Sequence, residues 1–267
     1  MSKIRVFVTG VCGRMGTQVS RTILAQEDMV LVGAADVQRV GEDLGAVIGS
    51  EPVGVSISGP LDENLLRTLK VDILVDFTSM PGILSNAKAA LKAGVVPVIG
   101  ATGLDDKDVA ELRELSAQQK TGVFIAPNFA LGAVLMMKFA QEGAKYFPHV
   151  EIIELHHDKK LDAPSGTAIR TAEAIATVRK PMAQGNPKER EKLQGARGSD
   201  YQGFRIHSVR LPGLEAHQEV IFGGAGQSLT IRHDAYTRET YMPGVLLAIR
   251  RSLGMTDFVV GLDNYLD

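Results

Sequence analysis

Residues 4–16 read Ile4-Arg5-Val6-Phe7-Val8-Thr9-Gly10-Val11-Cys12-Gly13-Arg14-Met15-Gly16, and the order of residue types in them decides the fold. The first six form a short β-rich run, as a buried parallel strand should be. Three glycines spaced G-x-x-G-x-x-G follow. Behind them Met15, Val19, Ile23 and Leu24 fall at helical spacing and predict one apolar helix face. A second strand is expected at Met29–Ala35, with Asp36 at its end, twenty residues after Gly16. Strand, glycine turn, helix, strand and acid in this order are the layout of a dinucleotide-binding unit. Glycine lets backbone turn tightly and approach a pyrophosphate, which rests on the N–H groups at the helix start. Asp36 is placed to accept hydrogen bonds from an adenosine ribose. A glycine triplet alone occurs in many turns, so the weight lies on the complete unit.

The same alternation runs on to about residue 128. Val71–Phe77 reads as a strand, Asn86–Leu91 carries a helical face, and Val95–Ile99 is a strand ending in Gly100-Ala101-Thr102-Gly103. Asp106–Gln119 is charged and helical, and Val123–Ala126 is a strand ending in Pro127-Asn128-Phe129. This pattern predicts an α/β fold with an N-terminal Rossmann-type doubly wound parallel sheet, in which ligands bind at the carboxyl ends of the strands. Asp76-Phe77-Thr78, Gly100–Gly103 and Ala126–Phe129 all fall at such ends and are expected to line the nicotinamide end of a cofactor site.

After residue 128 the pattern changes. A helix over about Leu131–Tyr146 leads to a strand at Val150–Leu155, and a second helix begins near Ser165 with Ala168, Ala172 and Ile175 on one face. Residues 180–202 are polar and are expected to form a mobile surface loop. Phe204–Arg210, Glu219–Phe222 and Ser228–His233 are β-rich runs separated by glycine-containing turns, which suggests a mixed or antiparallel sheet. Tyr241–Leu253 closes the pattern as an amphipathic helix with Pro243 in its first turn. The expected organisation is a dinucleotide-binding domain at 1–128, completed by about 239–267. An α+β substrate-binding and oligomerisation domain is expected at 129–238.

Bulk properties narrow the function classes. The 267 residues carry a net charge of −2 and 45% hydrophobic residues, as in an ordinary globular protein. No basic excess points to nucleic acid, and no apolar run approaches the ~20 residues of a membrane helix. The N-terminus opens directly into a strand pattern, with no signal or transit peptide apparent. The single cysteine excludes an internal disulfide and suits a reducing cytoplasm. No metal is expected. Cys12 lies in the glycine turn with no histidine nearby in sequence, and is read as a small space-filler rather than a catalytic thiol.

The chemistry is concentrated in residues 154–168, Glu-Leu-His-His-Asp-Lys-Lys-Leu-Asp-Ala-Pro-Ser-Gly-Thr-Ala. Imidazole exchanges protons near neutrality, lysine brings compact positive charge, and a helix start offers N–H groups to an anion. Together these describe a pocket for a small carboxylate that is protonated during reaction. The plain alternative is a charged loop before an ordinary helix. A different nicotinamide-dependent dehydrogenase of a small amino or keto acid is compatible with the layout, and so is a nucleotide-sensing regulator. The histidine–lysine run discriminates against both.

On Gly10–Gly16, Asp76-Phe77-Thr78, Gly100–Gly103, Ala126–Phe129 and His156-His157 through Thr167, the chain resembles the 4-hydroxy-tetrahydrodipicolinate (dihydrodipicolinate) reductase family over nearly its full length. The resemblance implies NADH or NADPH as hydride donor, a place in diaminopimelate and lysine biosynthesis, and usually a homotetramer. It implies that His156 is the acid/base residue, with Lys160 its proton-donating, charge-stabilising partner. His157, Ser165, Gly166 and Thr167 are implied as substrate contacts, with Thr102 reaching the substrate from the cofactor side. Gly10, Val11, Cys12, Gly13, Arg14, Met15, Asp36, Gly100, Ala101, Thr102, Ala126, Pro127, Asn128 and Phe129 are implied to bind the dinucleotide. Two departures stand out. Ala101 lacks the hydroxyl of the commoner Gly-Thr-Thr-Gly turn, and Asp36 stands where some members have Glu, with Arg39 three residues beyond.

Overall fold

The computed structural model describes residues 2–101 and 103–266. Thr102, expected at the substrate, lies outside the described residues. In chain order the elements are β1 (Ile4–Thr9), α1 (Arg14–Leu24), β2 (Met29–Ala35), α2 (Gly45–Ile48), β3 (Ile57–Ser58), α3 (Glu63–Thr68), β4 (Ile73–Asp76), α4 (Gly82–Ala93), β5 (Val96–Ile99), α5 (Asp106–Gln119) and β6 (Val123–Ile125). They continue as α6 (Leu131–Ala144), β7 (His149–His156), α7 (Gly166–Val178), β8 (Ser199–Tyr201), β9 (Phe204–Arg210), β10 (Ala216–Gly224), β11 (Gln227–Ala235), α8 (Met242–Ser252) and β12 (Phe258–Val260). The chain divides into two compact units, Met1–Phe129 with Tyr241–Asp267, and Ala130–Thr240.

The first unit is built on a seven-stranded parallel sheet of order β12-β6-β5-β4-β1-β2-β3. Its central strands are apolar because helices cover both faces: Ile73, Leu74, Val75, Val98 and Ile99 are fully buried. The order reverses at β1, whose neighbours are β4 and β2. That reversal opens a crevice at the carboxyl ends of the strands. Helix α1 packs through Gly16, Val19 and Ile23, but Leu24, expected on the same face, is 41% exposed. It ends the helix, and a 3.6-residue period carries it round from the Val19–Ile23 stripe. Between Asp36 and Val71, α2, β3 and α3 fill a stretch whose sequence carries no clear period. Strand β12 pairs with β6 and extends the sheet by an edge that Phe258-Val259-Val260 are too few to announce.

The second unit is a mixed sheet of order β11-β10-β7-β9-β8, in which only β7 and β9 run parallel. One face is covered by α6 and α7. Met136, Ala140, Ala144, Ala168, Ala172 and Ile175 pack there on Val150, Ile152, Phe204, Ile206, Val220 and Phe222. The polar 180–202 stretch holds β8 at its end. It is tied to the sheet side by Arg179, which donates to the carbonyls of Pro148, Met182 and Gln202, and by Gln184, which pairs with both backbone groups of Val150. Among the described residues no helix is long and apolar enough to cross a membrane.

Candidate active site

In the first unit, the ends of β1, β2 and β4 wall a cleft of about 500 Å³. Thr9, Gly10, Cys12, Gly13, Asp36 and Phe77 are among its lining residues. Gly10 has φ +76°, and a Cβ there would press on the Phe77 carbonyl. A Cβ on Gly16 would overlap the Gly10 carbonyl, so this glycine is what allows α1 to start hard against the turn. Asp36 folds back over the turn, its carboxylate accepting from Cys12 N–H at 2.9 Å and Gln38 N–H at 3.0 Å. Burial, followed by the neighbouring Asp36 carboxylate, pushes the Cys12 thiol pKa up, which leaves it little thiolate character. The far wall is braced by Asp76, fully buried, which accepts from the backbone and hydroxyl of Thr78 and from the Asn86 amide at 2.9 Å.

The remaining nucleotide-site expectations fall elsewhere in this unit. Val11 is fully buried, and Arg14 and Met15 form the first turn of α1. Gly100 and Ala101 follow β5, where a Cβ on Gly100 would overlap the Phe77 ring. Ala126 and Phe129 are core residues, with the Phe129 ring 5.8 Å from Phe77 and 6.1 Å from Phe124. Pro127 is exposed between them, next to the half-buried Asn128. None of Gly100, Ala101 and Ala126–Phe129 is among the described walls of the cleft. Arg39 is also absent from those walls; its guanidinium pairs with Glu42 at 2.7 Å on the surface. The glycine cradle, the crevice at the strand reversal and the acid at the end of β2 fit a dinucleotide.

In the second unit, β7 delivers His156 at its last position, 15% exposed in its side chain. A turn closed by Lys160 N–H on the His157 carbonyl carries the chain onward, and Lys160 Nζ pairs with Asp162 at 2.8 Å. That contact holds the Asp162 carboxyl below the usual carboxylate range. Helix α7 then starts at Gly166, capped by the Ser165 hydroxyl accepting from Ala168 N–H at 3.2 Å. Ser165 is thus committed to its own helix by its side chain, while Gly166 and Thr167 supply the first-turn N–H groups. A Cβ on Gly166 would meet no protein atom within 4 Å, so the space beside the helix start is open. Among the described residues three buried side-chain polar atoms lack a partner, His157 Nδ1, Arg210 Nε and Gln218 Oε1, and all three belong to this unit. Unpartnered buried groups are costly unless something meets them, and their gathering here is what a polar ligand site requires.

Two residues outside the expected site set, Glu154 and Arg210, sit at the centre of this cluster. Glu154 is fully buried and accepts from both Arg210 terminal nitrogens, at 2.7 and 2.9 Å, and from Ser165 N–H at 3.2 Å. It also meets His156 Nδ1. Burial works against its charge, but the hydrogen bonds of His156 and Arg210, followed by Ser208, prevail and hold its pKa at about 2. One signal for Glu154 was present. It shares strand parity with Val150 and Ile152, so an acid stands on the buried face two residues before His156. Arg210 has no such signal, because only the pairing of β9 with β7 places it opposite His156.

Comparison with known proteins agrees along the whole chain. Residues 4–129 match the family model described as dihydrodipicolinate reductase, N-terminus, and residues 132–266 match dihydrodipicolinate reductase, C-terminus. The 4-hydroxy-tetrahydrodipicolinate reductase of Desulfitobacterium hafniense is 61% identical over 267 residues, covering 100% of both chains. That of Moorella thermoacetica is 50% identical, covering 100% of this chain and 99% of its own. A solved dipicolinate-bound dihydrodipicolinate reductase from a Paenisporosarcina species superposes with a TM-score of 0.88 at 46% identity, over 99% of this chain and 100% of that one. An amine dehydrogenase from Mycobacterium smegmatis, 17% identical with a TM-score of 0.65 over 95% of this chain and 93% of its own, shares the fold alone. The chain belongs to the dihydrodipicolinate reductase family.

Proposed function

We propose that the cluster around His156 is where this reductase binds and protonates a small cyclic dicarboxylate, 4-hydroxy-tetrahydrodipicolinate reduced by way of dihydrodipicolinate. As a member of its family the chain is an NADH- or NADPH-dependent reductase of diaminopimelate and lysine biosynthesis. When bound, the reduced nicotinamide supplies the hydride. The protein must hold two carboxylates out of water, and the Lys160 ammonium with the Gly166 and Thr167 N–H groups offers the charge and donors for one of them. Addition of hydride to a conjugated C=C–C=N system drives electron density through the ring. The imidazole of His156 delivers the proton that completes the reduction, while Lys160 offsets developing negative charge. His157, with its buried Nδ1 unpartnered, is a ligand contact.

The observation that carries this reading is the open space beside the capped start of α7, flanked in sequence by the His156–Lys160 turn. A coupled assay with freshly generated substrate tests it, run on the wild type and on His156→Ala. A folded His156→Ala protein keeping more than about a tenth of wild-type kcat would remove the imidazole from the acid role, since such catalysis ordinarily contributes at least ~10²-fold.

Asp36, on the cleft wall, suits a ribose diol, while the surface cations Arg39, paired with Glu42, and Arg14 can receive a 2′-phosphate, so both nucleotides bind with no strong bias against NADH. Titration with each reduced nucleotide decides this; a preference of ~100-fold or more for NADPH would overturn it. The chain acts in the cytoplasm as a homotetramer assembled through the second unit. Support comes from the sheet face away from α6 and α7, where Ile153, Leu155, Val209 and Ile221 are only partly covered. Edge strand β11 is exposed from Gln227 to Thr230 as well. Light scattering at micromolar concentration tests assembly, and a monomeric mass would sink it.

A further inference from the structure

Glu154 lies at the meeting of three elements. It shares the inner face of β7 with His156, it faces Ser208 across the parallel pairing with β9, and its carboxylate receives the N–H of Ser165 at the start of α7. In the same register Arg210 stands opposite His156 and reaches Glu154 with both terminal nitrogens. A second Arg210 contact, to the carbonyl of Asp162 at 2.8 Å, fastens the loop that carries Lys160.

An ionised carboxylate has only acceptor sites, so the imidazole nitrogen that meets it must carry hydrogen. We propose that Glu154, held by Arg210, is the positioning residue that orients His156 with Nδ1–H inward and makes Nε2 the atom that delivers the proton. The proposal rests on the reading of His156 as the acid. In the step, the Nε2–H bond of the imidazolium breaks, the proton joins the electron-rich ring carbon of the reduced substrate, and the pair left on Nε2 makes the imidazole neutral. The ring ends as the Nδ1–H tautomer without rotating, because the Glu154 hydrogen bond persists through the transfer. Arg210 gives the carboxylate a permanent counter-charge. Glu154 alone would be a buried anion pulling on the imidazolium and opposing release of its proton. Paired, it orients more than it traps. At metal sites, carboxylates that orient a histidine in this way matter by about 10–100-fold.

The test is nitrogen NMR on enzyme labelled with ¹⁵N-histidine, with the His156 signals identified by their loss in His156→Gln. In the wild type at a pH where the ring is neutral, Nδ1 is expected to be the protonated nitrogen; an Nε2–H tautomer overturns the proposal. Glu154→Gln should lower kcat by roughly 10–100-fold, with KM and nucleotide Kd changed by less than about threefold, and should mix the tautomers of His156. Glu154→Asp, which keeps the charge, should recover part of kcat. Folded Glu154→Gln with wild-type kcat and an unmoved tautomer overturns the proposal. Should that variant not fold, the wild-type spectrum decides. A normal kcat in His156→Gln would instead sink the acid reading itself, whereas a crippled His156→Gln beside a normal Glu154→Gln would sink only the positioning role.

Discussion

In the first unit, the cleft forms where a glycine turn lets three strand ends and one folded-over acid come together. In the second, the site is made of side chains gathered from a strand, its neighbour and a helix start, with Glu154 and Arg210 fifty-six residues apart. A backbone site is specified by what must be missing, since Gly10 and Gly16 matter because any Cβ collides with a carbonyl. A side-chain site is specified by what must be present and how it is held. The first therefore fails by steric overlap and the second by lost chemistry, and substitutions can separate these two modes of failure.

The largest effect is expected in the second unit. His156→Ala should lower kcat by roughly 10²–10⁴ while thermal stability and nucleotide affinity stay near wild type; equal losses in all three would erase the distinction between the sites. Lys160→Ala should come next, cutting kcat and weakening pyridine-2,6-dicarboxylate by about 10- to 100-fold, the worth of a hydrogen bond to a charged group. Calorimetric titration checks the second part. Gly16→Ala is the counterpart in the first unit. It should cost about 2 kcal/mol of stability from overpacking and weaken nucleotide binding, with dicarboxylate affinity unaltered. Unfolding midpoints and paired titrations read both. Gly166→Ala sharpens the contrast most, although its effect is smaller. Its Cβ meets only open space, so the melting temperature should hold or rise slightly, while dicarboxylate binding falls several-fold. A destabilised Gly166→Ala would mean that this glycine serves the fold.

The smallest effect concerns acid. Glu154 is held at about 2, below its ordinary 4.5, so its ion pair contributes stability that is fully present above pH ~4.5. That contribution is lost as pH falls toward 2. Glu154→Gln should therefore flatten the dependence of stability on pH in this window, as denaturant melts at stepped pH would reveal.

Much of the fold is legible locally. The predicted span of α5, Asp106–Gln119, matches the observed helix because a capping box at Asp105 and Asp108 starts a run of strong helix formers. Phe204–Arg210 matches β9 because its first residues alternate buried and part-exposed. Stretches of two to six residues, such as α2, β3, α3 and β12, are held by neighbours and carry too few positions to show a period. The same limit applies to the site. His156 and Lys160 advertise themselves by residue type within one short run, whereas Arg210 is one arginine among many until β9 lies parallel to β7.

By itself the sequence determined the glycine turn, the strand–helix alternation, the capped start of α7 and the titratable groups beside it. All of these depend on residues a few positions apart, within reach of local backbone geometry. Tertiary structure alone decided strand order, the crevice where that order reverses at β1, the burial of Glu154 and its capture by Arg210. Those rest on contacts between residues far apart in the chain. Whether a carboxylate is ionised and rigid, or hydrated and free, follows from what surrounds it in space.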